Sequence, residues 1–330
     1  MAELVKDRAS TRTPGEYSLA LHLYARVVCL ATLFLIFAGG MVTSTGSGLA
    51  VPDWPLSYGQ VMPPMVGGIF YEHGHRLIAT LVGMLTIGLA VWLQRRDPRS
   101  WVRKLGWAAL GAVCLQGLLG GLTVIFMLPT AISVSHAGLA ELFFALTVAL
   151  AWFTSPGFRN PVVHAEPERR ISFPTLTLVT SLAVYMQILL GALMRHTGAG
   201  LAIPDFPLAF GGLVPPDFSG GVAVHFAHRL GAVAVAGMAV WVFARVLRDH
   251  RSHAELVRPV ALLVSLVLLQ VGLGGWTIWS GKSAVPTSLH VVTGAATWGT
   301  SVYLALRARR HVLAARETPV TEPWLRQATA

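Results

Sequence analysis

The chain has 330 residues, of which 54% are hydrophobic and 12% charged, with 25 Lys+Arg against 15 Asp+Glu for a formal net charge of +10. An ordinary globular domain is about a quarter charged, so this composition excludes a disordered chain and argues against a soluble domain. Two cysteines, Cys29 and Cys114, both inside apolar runs, exclude a disulfide scaffold; a polytopic membrane protein is what remains.

A bilayer core takes about 20 apolar residues per helix. Eight segments qualify, over 24–44, 72–93, 104–126, 132–153, 173–194, 223–245, 258–279 and 285–306. Residues 1–20 are polar and charged and show no apolar stretch followed by a cleavage site, so the first apolar segment is expected to be a retained helix rather than a signal peptide. The basic residues fall on one side of this topology. Arg8 and Arg12 precede helix 1, Arg95, Arg96, Arg99 and Arg103 follow helix 2, Arg159, Arg169 and Arg170 follow helix 4, Arg245, Arg248 and Arg251 follow helix 6, and Arg307, Arg309 and Arg310 follow helix 8. The opposite connections are nearly free of them. This asymmetry predicts that both termini are cytoplasmic, and it explains the net charge as orientation rather than nucleic-acid binding.

The first and fifth connections are the long ones, and they are alike. TGSGLAVPDWPLSYGQVMPP (Thr45–Pro64) and TGAGLAIPDFPLAFGGLVPP (Thr197–Pro216) share 12 of 20 positions. EHGHR at Glu72–Arg76 matches HFAHR at His225–Arg229, Gln116 and GGLTV match Gln270 and GGWTI, and His136 matches His290, the offset drifting from 152 to 154. The chain therefore reads as an all-α membrane protein of eight transmembrane helices in two tandem four-helix bundles. Four is an even number, so the two share one orientation and are expected to be related by a pseudo-two-fold axis along the membrane normal. The divisions are a tail over 1–23, a first unit over 24–153, a cytoplasmic linker over 154–172, a second unit over 173–306 and a tail over 307–330.

His22, His164, His250, His253 and His311 fall in cytoplasmic segments and read as solvated. His75, His136, His228 and His290 lie inside apolar helices, where an ionisable group is a functional candidate. Each is within about two turns of the outer end of its helix. Two imidazoles facing across a bundle can hold a haem iron from both sides, and Arg76 and Arg229, directly after two of them, could pair with haem propionates. The plain alternative is a set of buried histidines bonded to neighbouring helices; duplication at matching positions favours haem. Zinc fits less well, since no cysteine is near and a structural site takes four ligands.

Glu72 is three residues before His75 and shares its helix face; the matching residue is His225. A carboxylate beside a haem edge can move protons or stabilise developing positive charge, and the alternative is an acid capping the start of helix 2. Glu141, five residues after His136, has no acidic mate, and is a proton-path residue or the partner of a neighbouring helix. His73 and His225 are open-site neighbours or interfacial. In the repeated loops, prolines confer stiffness, Asp53 and Asp205 should accept backbone N–H bonds within the turn, and Trp54 and Phe206 suit the membrane interface. A lid over the outer end of each unit is the expected role.

The two TG(S/A)GLA(V/I)PD(W/F)PL loops, EHGHR, and histidines at 75, 136, 228 and 290 together resemble the heme A synthase family over roughly residues 24–306. That resemblance implies oxidation of the C8 methyl of haem O to the formyl group of haem A, through the hydroxymethyl stage, for terminal oxidases. It implies a bacterial cytoplasmic membrane location, His75 and His136 on the substrate haem, His228 and His290 on a permanent haem b, and Glu72 as the catalytic glutamate. As partners it implies haem O, the farnesyltransferase that makes haem O, an electron carrier in the membrane and oxidase assembly factors, with a homo-oligomer allowed. The chain departs from the family in two places. Val51 and Ser57, with Ile203 and Ala209, stand where many bacterial members carry a loop cysteine pair, leaving Cys29 and Cys114 as packing residues. Thr43 stands where Arg195 stands in the second unit. The rival readings are a bis-histidine electron-transfer cytochrome without chemistry of its own, which gives no reason for Glu72, and a transporter, whose site would lie near the midplane.

Overall fold

The computed structural model describes residues 18–159 and 169–317, and all the described residues outside loops and turns are helical apart from two isolated bridges. The long helices are α1 (Leu19–Ser44), α2 (Gly67–Arg96), α3 (Ser100–Ile125), α4 (Thr130–Phe153), α6 (Phe173–His196), α7 (Gly221–Asp249), α8 (Ala254–Trp279) and α9 (Ala284–Glu317), with a one-turn α5 (Pro156–Arg159) and a 3-10 turn at Ala199–Leu201. The expected tail and linker residues 1–17, 160–168 and 318–330 lie outside the described residues.

Local chemistry sets the ends. Ser18 caps α1 by accepting from Leu21 N at 3.3 Å, and Ser172 caps α6 by accepting from Thr175 N at 3.3 Å, with a proline in the first turn. α2 stops at Asp97-Pro98, where the residue before proline leaves the helical region. Asp97 then bonds Arg99 through its N–H (3.0 Å) and guanidinium (2.6 Å). The ion pairing holds the Asp97 carboxyl below its ordinary value although burial pushes it up.

Seven of the long helices, α1 to α4 and α6 to α8, are long and apolar enough to cross a membrane, which makes this a polytopic membrane protein. α9 is less apolar for a structural reason. It packs against α8, α6, α1 and α4, and buries Ser288, Thr293, Thr297 and Ser301. A helix enclosed by other helices need not be apolar around its whole girth, and short hydroxyl side chains let neighbours approach and bond.

α1, α2, α3 and α4 each touch the next, and α4 returns to α1; α6, α7, α8 and α9 repeat the pattern. Across the halves, α1 and α4 meet α9, and α4 meets α6. Leu21, Val28, Val82, Leu89, Leu93 and Phe143 centre one core cluster, and Leu176, Val242, Val260, Leu263, Trp298 and Leu304 centre the other. Three sequence expectations are corrected. His250 is buried against Phe173 (5.2 Å between ring centroids), and His22 Nδ1 lies 3.1 Å from Ala151 O; neither is a solvated histidine, because α7 packs on α6 and α1 on α4 out to these helix ends. Cys29 does pack in the core, but Cys114 is exposed on the outside of α3.

Candidate functional site: two histidine pairs under repeated loops

His75, His136, His228 and His290 stand on α2, α4, α7 and α9, six to eight residues from each helix start. Each ring lies against a glycine of the helix before it in the chain. A Cβ would stand 3.0 Å from His75 Cε1 at Gly39, 3.1 Å from His136 at Gly120, 2.8 Å from His228 at Gly191 and 3.4 Å from His290 at Gly274. At Gly39, Gly120 and Gly191 the bare backbone is what admits the imidazole between helices, while at Gly274 a Cβ would meet His290 only at ordinary contact distance. Glutamine amides steady the backbone at three of them: Gln116, Gln187 and Gln270 donate to the carbonyl oxygens of His136, His228 and His290 at 2.9, 2.7 and 2.8 Å.

The rings of each half are neighbours. His228 and His290 have centroids 6.4 Å apart with planes at 75°, and His75 and His136 hold the matching positions on α2 and α4. Two metal–imidazole bonds of about 2 Å and two half-rings fill a span of that size, so one metal atom fits between the second pair. Nδ1 of His75, His136 and His290 is buried with no side-chain hydrogen bond, and the backbones of Leu35, Gln116 and Gln270 lie beside these rings. Among the described residues no cluster of three or more His, Cys, Asp or Glu could hold a metal ion.

Glu72 is buried in the second turn of α2 and does not cap it; Val66 holds that position. Its Oε2 accepts from Val51 N at 2.8 Å and its Oε1 from Arg76 Nη2 at 2.7 Å. Arg76 also donates to the carbonyls of Asp53 and Leu56, each at 2.8 Å. In the second half His225 Nδ1 accepts from Ile203 N at 3.3 Å, and Arg229 donates to Leu208 O and Asp205 O, each at 2.6 Å. The two arginines, expected to meet propionates, thus spend these donors on loop carbonyls, because the loops fold directly over them. The Glu72 carboxylate has four lone-pair sites and uses two.

The loops are built alike. Asp53 accepts from Tyr58 N (2.6 Å) and Gly59 N (2.8 Å), and Asp205 from Phe210 N and Gly211 N (2.8 Å each), as expected. The backbone at Tyr58 and Phe210 is left-handed, with φ of 53° and 57°, and the carboxylate bonds hold those turns. Trp54 sits where a Cβ at Gly121 would be 2.5 Å from its ring, and Phe206 where one at Gly275 would be 2.8 Å away. Each loop therefore bridges the second and third long helices of its half. Ser57 Oγ lies 2.8 Å from the buried His73 Nδ1, a polar pair whose repeat mates are Ala209 and Phe226.

Glu141 is buried on the face of α4 that meets α6 and α9. Trp298 Nε1 donates to its backbone oxygen at 3.0 Å, and its Oε2 makes no hydrogen bond. The sequence showed Gly120 and Gly274 as part of the matched GGLTV and GGWTI runs but without a role, and it missed Gly39, Gly191 and Gln187. The glycine pairs repeat at offsets of 152 and 154, beside 153 and 154 for the histidines, and that repetition was the available signal.

Fold and site define a class: a polytopic helical membrane protein with two repeat-related histidine pairs, each under a loop of one design. The chain matches the family described as COX15-CtaA, cytochrome oxidase assembly protein, over residues 22–68 and 65–302, and it belongs to that family. It is 33% identical over 293 residues to a heme A synthase of Symbiobacterium thermophilum, covering 84% of this chain and 94% of that one. It is 30% identical over 292 residues to a heme A synthase of Shouchella clausii, covering 86% and 96%. A heme A synthase of Caulobacter sp. is 30% identical over an alignment of 339 positions, covering 87% and 96%.

Proposed function

We propose that the chain acts as a heme A synthase, converting the C8 methyl of haem O to the formyl group of haem A. The observation that carries this is the one-sided acid in a two-sided design: both halves hold a glycine-notched histidine pair under the same loop, and only the first has a carboxylate, Glu72, where the second has His225. The relatives' shared name fits that asymmetry, whereas an electron-transfer cytochrome would have no use for it.

On this reading His75 and His136 bind the substrate haem and His228 and His290 hold haem b. Haem b, when bound, supplies a one-electron acceptor beside the substrate unit. The chain's own residues do the rest. The histidines fix the porphyrin plane, and the loop closed by Arg76 excludes bulk water from its outer edge. Glu72, hydrogen-bonded through one lone pair on each oxygen, has lone pairs left to take protons from the reacting carbon or from the water that attacks it. Each of the two oxidations removes two electrons and two protons and adds one water oxygen, and loss of water from the hydrated stage leaves the formyl group. The electrons pass to a carrier in the membrane. The basic ends of the helices lie in the cytoplasm, with both termini on that side of a bacterial cytoplasmic membrane, and the two four-helix units are parallel repeats. The farnesyltransferase that makes haem O and oxidase assembly factors are the partners this role calls for.

Glu72→His is the deciding variant, since His225 shows that an imidazole can accept the loop amide. In cells supplied with haem O and lacking another synthase, chromatography of extracted haems should show haem A with the wild type. With Glu72→His it should show haem O with the second-unit haem b retained. Haem A from the variant at the wild-type level removes Glu72 from the chemistry. Oxygen-18 water tests the oxygen source, and a formyl oxygen that never carries the label, with later exchange excluded, rules out attack by water.

A further inference from the structure

We propose that Gln187 and Gly231 make the second histidine pair a retaining haem site, while Leu35 and Ile78, their repeat mates, leave the first an exchanging one. This rests on the reading of both pairs as haem ligands, and it assigns a cause to their different tasks.

The halves differ most sharply behind one ring. Gln187 on α6 places its amide 3.0 Å from His228 Nδ1 and donates to the His228 carbonyl at 2.7 Å. Its seat exists because position 231 on α7 is glycine: a Cβ there would lie 2.1 Å from Gln187 Oε1. The offsets of 152 and 153 bring Leu35 and Ile78 to these places in the first half, where both pack into the apolar core. The backbones of Leu35 and Gln187 each reach the ring of their own half, His75 and His228, so the halves differ in the side chain: no amide stands beside His75 Nδ1. Gln116, the other glutamine near a ring, approaches His136 at Nε2 and only at 3.4 Å.

An imidazole that binds iron through one nitrogen is oriented, and its basicity set, by the hydrogen bond at the other. A carboxamide donates at one end and accepts at the other, so Gln187 holds His228 Nδ1 as a donor when it is bare or, after a half-turn of the amide that gives up the bond to the His228 carbonyl, as an acceptor when it is protonated. A leucine side chain can do neither. Losing such a partner costs about 10- to 100-fold in metal affinity. A resident electron carrier calls for the tighter site. A unit that takes in a substrate and discharges a product of nearly the same size calls for a ligand ring that lets go. Gln187 is thus a positioning residue acting through His228, and Gly231 makes room for it.

The test uses the purified full-length chain. Excess apomyoglobin strips haem, absorbance follows the rate, and chromatography identifies which haem has left. Gln187→Leu, and the double variant Gln187→Leu/Gly231→Ile that installs the first unit's pair, should release haem b about 10- to 100-fold faster. Both should raise the haem b midpoint potential while leaving the release of haem O or haem A unchanged. The reciprocal Leu35→Gln/Ile78→Gly should slow release from the first unit. Haem b leaving the Gln187 variants at the wild-type rate and potential overturns the inference, and so does equal acceleration of both haems, which marks general loosening. Wild-type protein that carries no haem at all overturns instead the reading on which the inference rests.

Discussion

Position 72 and its repeat mate 225 show how one backbone demand can be met by two chemistries. Each side chain accepts a loop amide, Val51 N or Ile203 N, so the local fold does not distinguish them; only the carboxylate adds charge and proton capacity. The glycines facing the histidines give a graded prediction. Alanine at Gly191, Gly39 and Gly120 brings a Cβ to 2.8, 3.0 and 3.1 Å from a ring carbon, whereas Gly274 leaves 3.4 Å. Between 3.0 and 3.4 Å the ring has to give by a few tenths of an ångström, and below 3.0 Å something must shift further, overpacking that costs about 1 kcal/mol or more where the ring cannot yield. Haem per protein after purification should therefore fall most in Gly191→Ala, less in Gly39→Ala and Gly120→Ala, and least in Gly274→Ala; an inverted order would show that the notches do not set the ring positions. The histidines and Glu72 were legible in the sequence because ionisable residues stand out in apolar helices. Gly120 and Gly274 were legible only as members of a repeated run, and Gly39, Gly191 and Gln187 not at all, since a glycine or an amide in a membrane helix is unremarkable until the facing helix is known.

Among the elements, the repeated loops are the most specified. Their shared residues resolve into a division of labour: Asp53 and Asp205 hold the left-handed turns, Arg76 and Arg229 gather the carbonyls, and Trp54 and Phe206 seat on glycines of the next helix. The backbone N–H groups of Gly59 and Tyr58 hold the Asp53 carboxyl below its ordinary value, and those of Gly211 and Phe210 do so for Asp205. A depressed carboxyl pKa means that the turn's support is fully present above the unfolded value of about 3.9 and is lost as pH falls through the lower folded value. Hydrogen-exchange protection of the Tyr58 and Gly59 amides should accordingly persist through mild acid and collapse only below about pH 4. In Asp53→Asn, whose neutral amide accepts at one oxygen only, it should already be weak at neutral pH. Protection that decays between pH 7 and pH 5 in the wild type would contradict this assignment. α9 teaches the complementary lesson: its buried Ser and Thr residues lower its apolarity because it faces helices rather than lipid.

At the scale of the whole molecule, the halves are tied by polar contacts at defined heights. Arg195 on α6 donates to Gly40 O at 2.9 Å and Ser44 Oγ at 2.7 Å on α1, and Ser288 on α9 donates to the same Ser44 at 3.0 Å. Deeper, Tyr185 OH donates to Gly138 O at 3.3 Å and stacks beside Trp298 (5.1 Å), which bonds Glu141 O. Thr43 occupies the mate of Arg195, so the outer tie is made from one side only. Charge-assisted bonds in a water-poor setting contribute about 1.5–3 kcal/mol each. Arg195→Ala should lower the thermal midpoint in detergent by several degrees with helix content unchanged, and a midpoint equal to the wild type would show that apolar packing alone joins the halves.

The sequence by itself determined the membrane class, the internal duplication, the two histidine pairs and the lone acid, because these follow from hydropathy, charge placement and offset, which need no knowledge of neighbours. Tertiary structure decided which nitrogen of which ring is held, that Glu72 and both arginines fasten the loops, and that Gln187 differs from Leu35 in more than polarity. Those properties belong to contacts between helices far apart in the chain, and a contact is set by the rotation and approach of two helices together, which no single segment encodes.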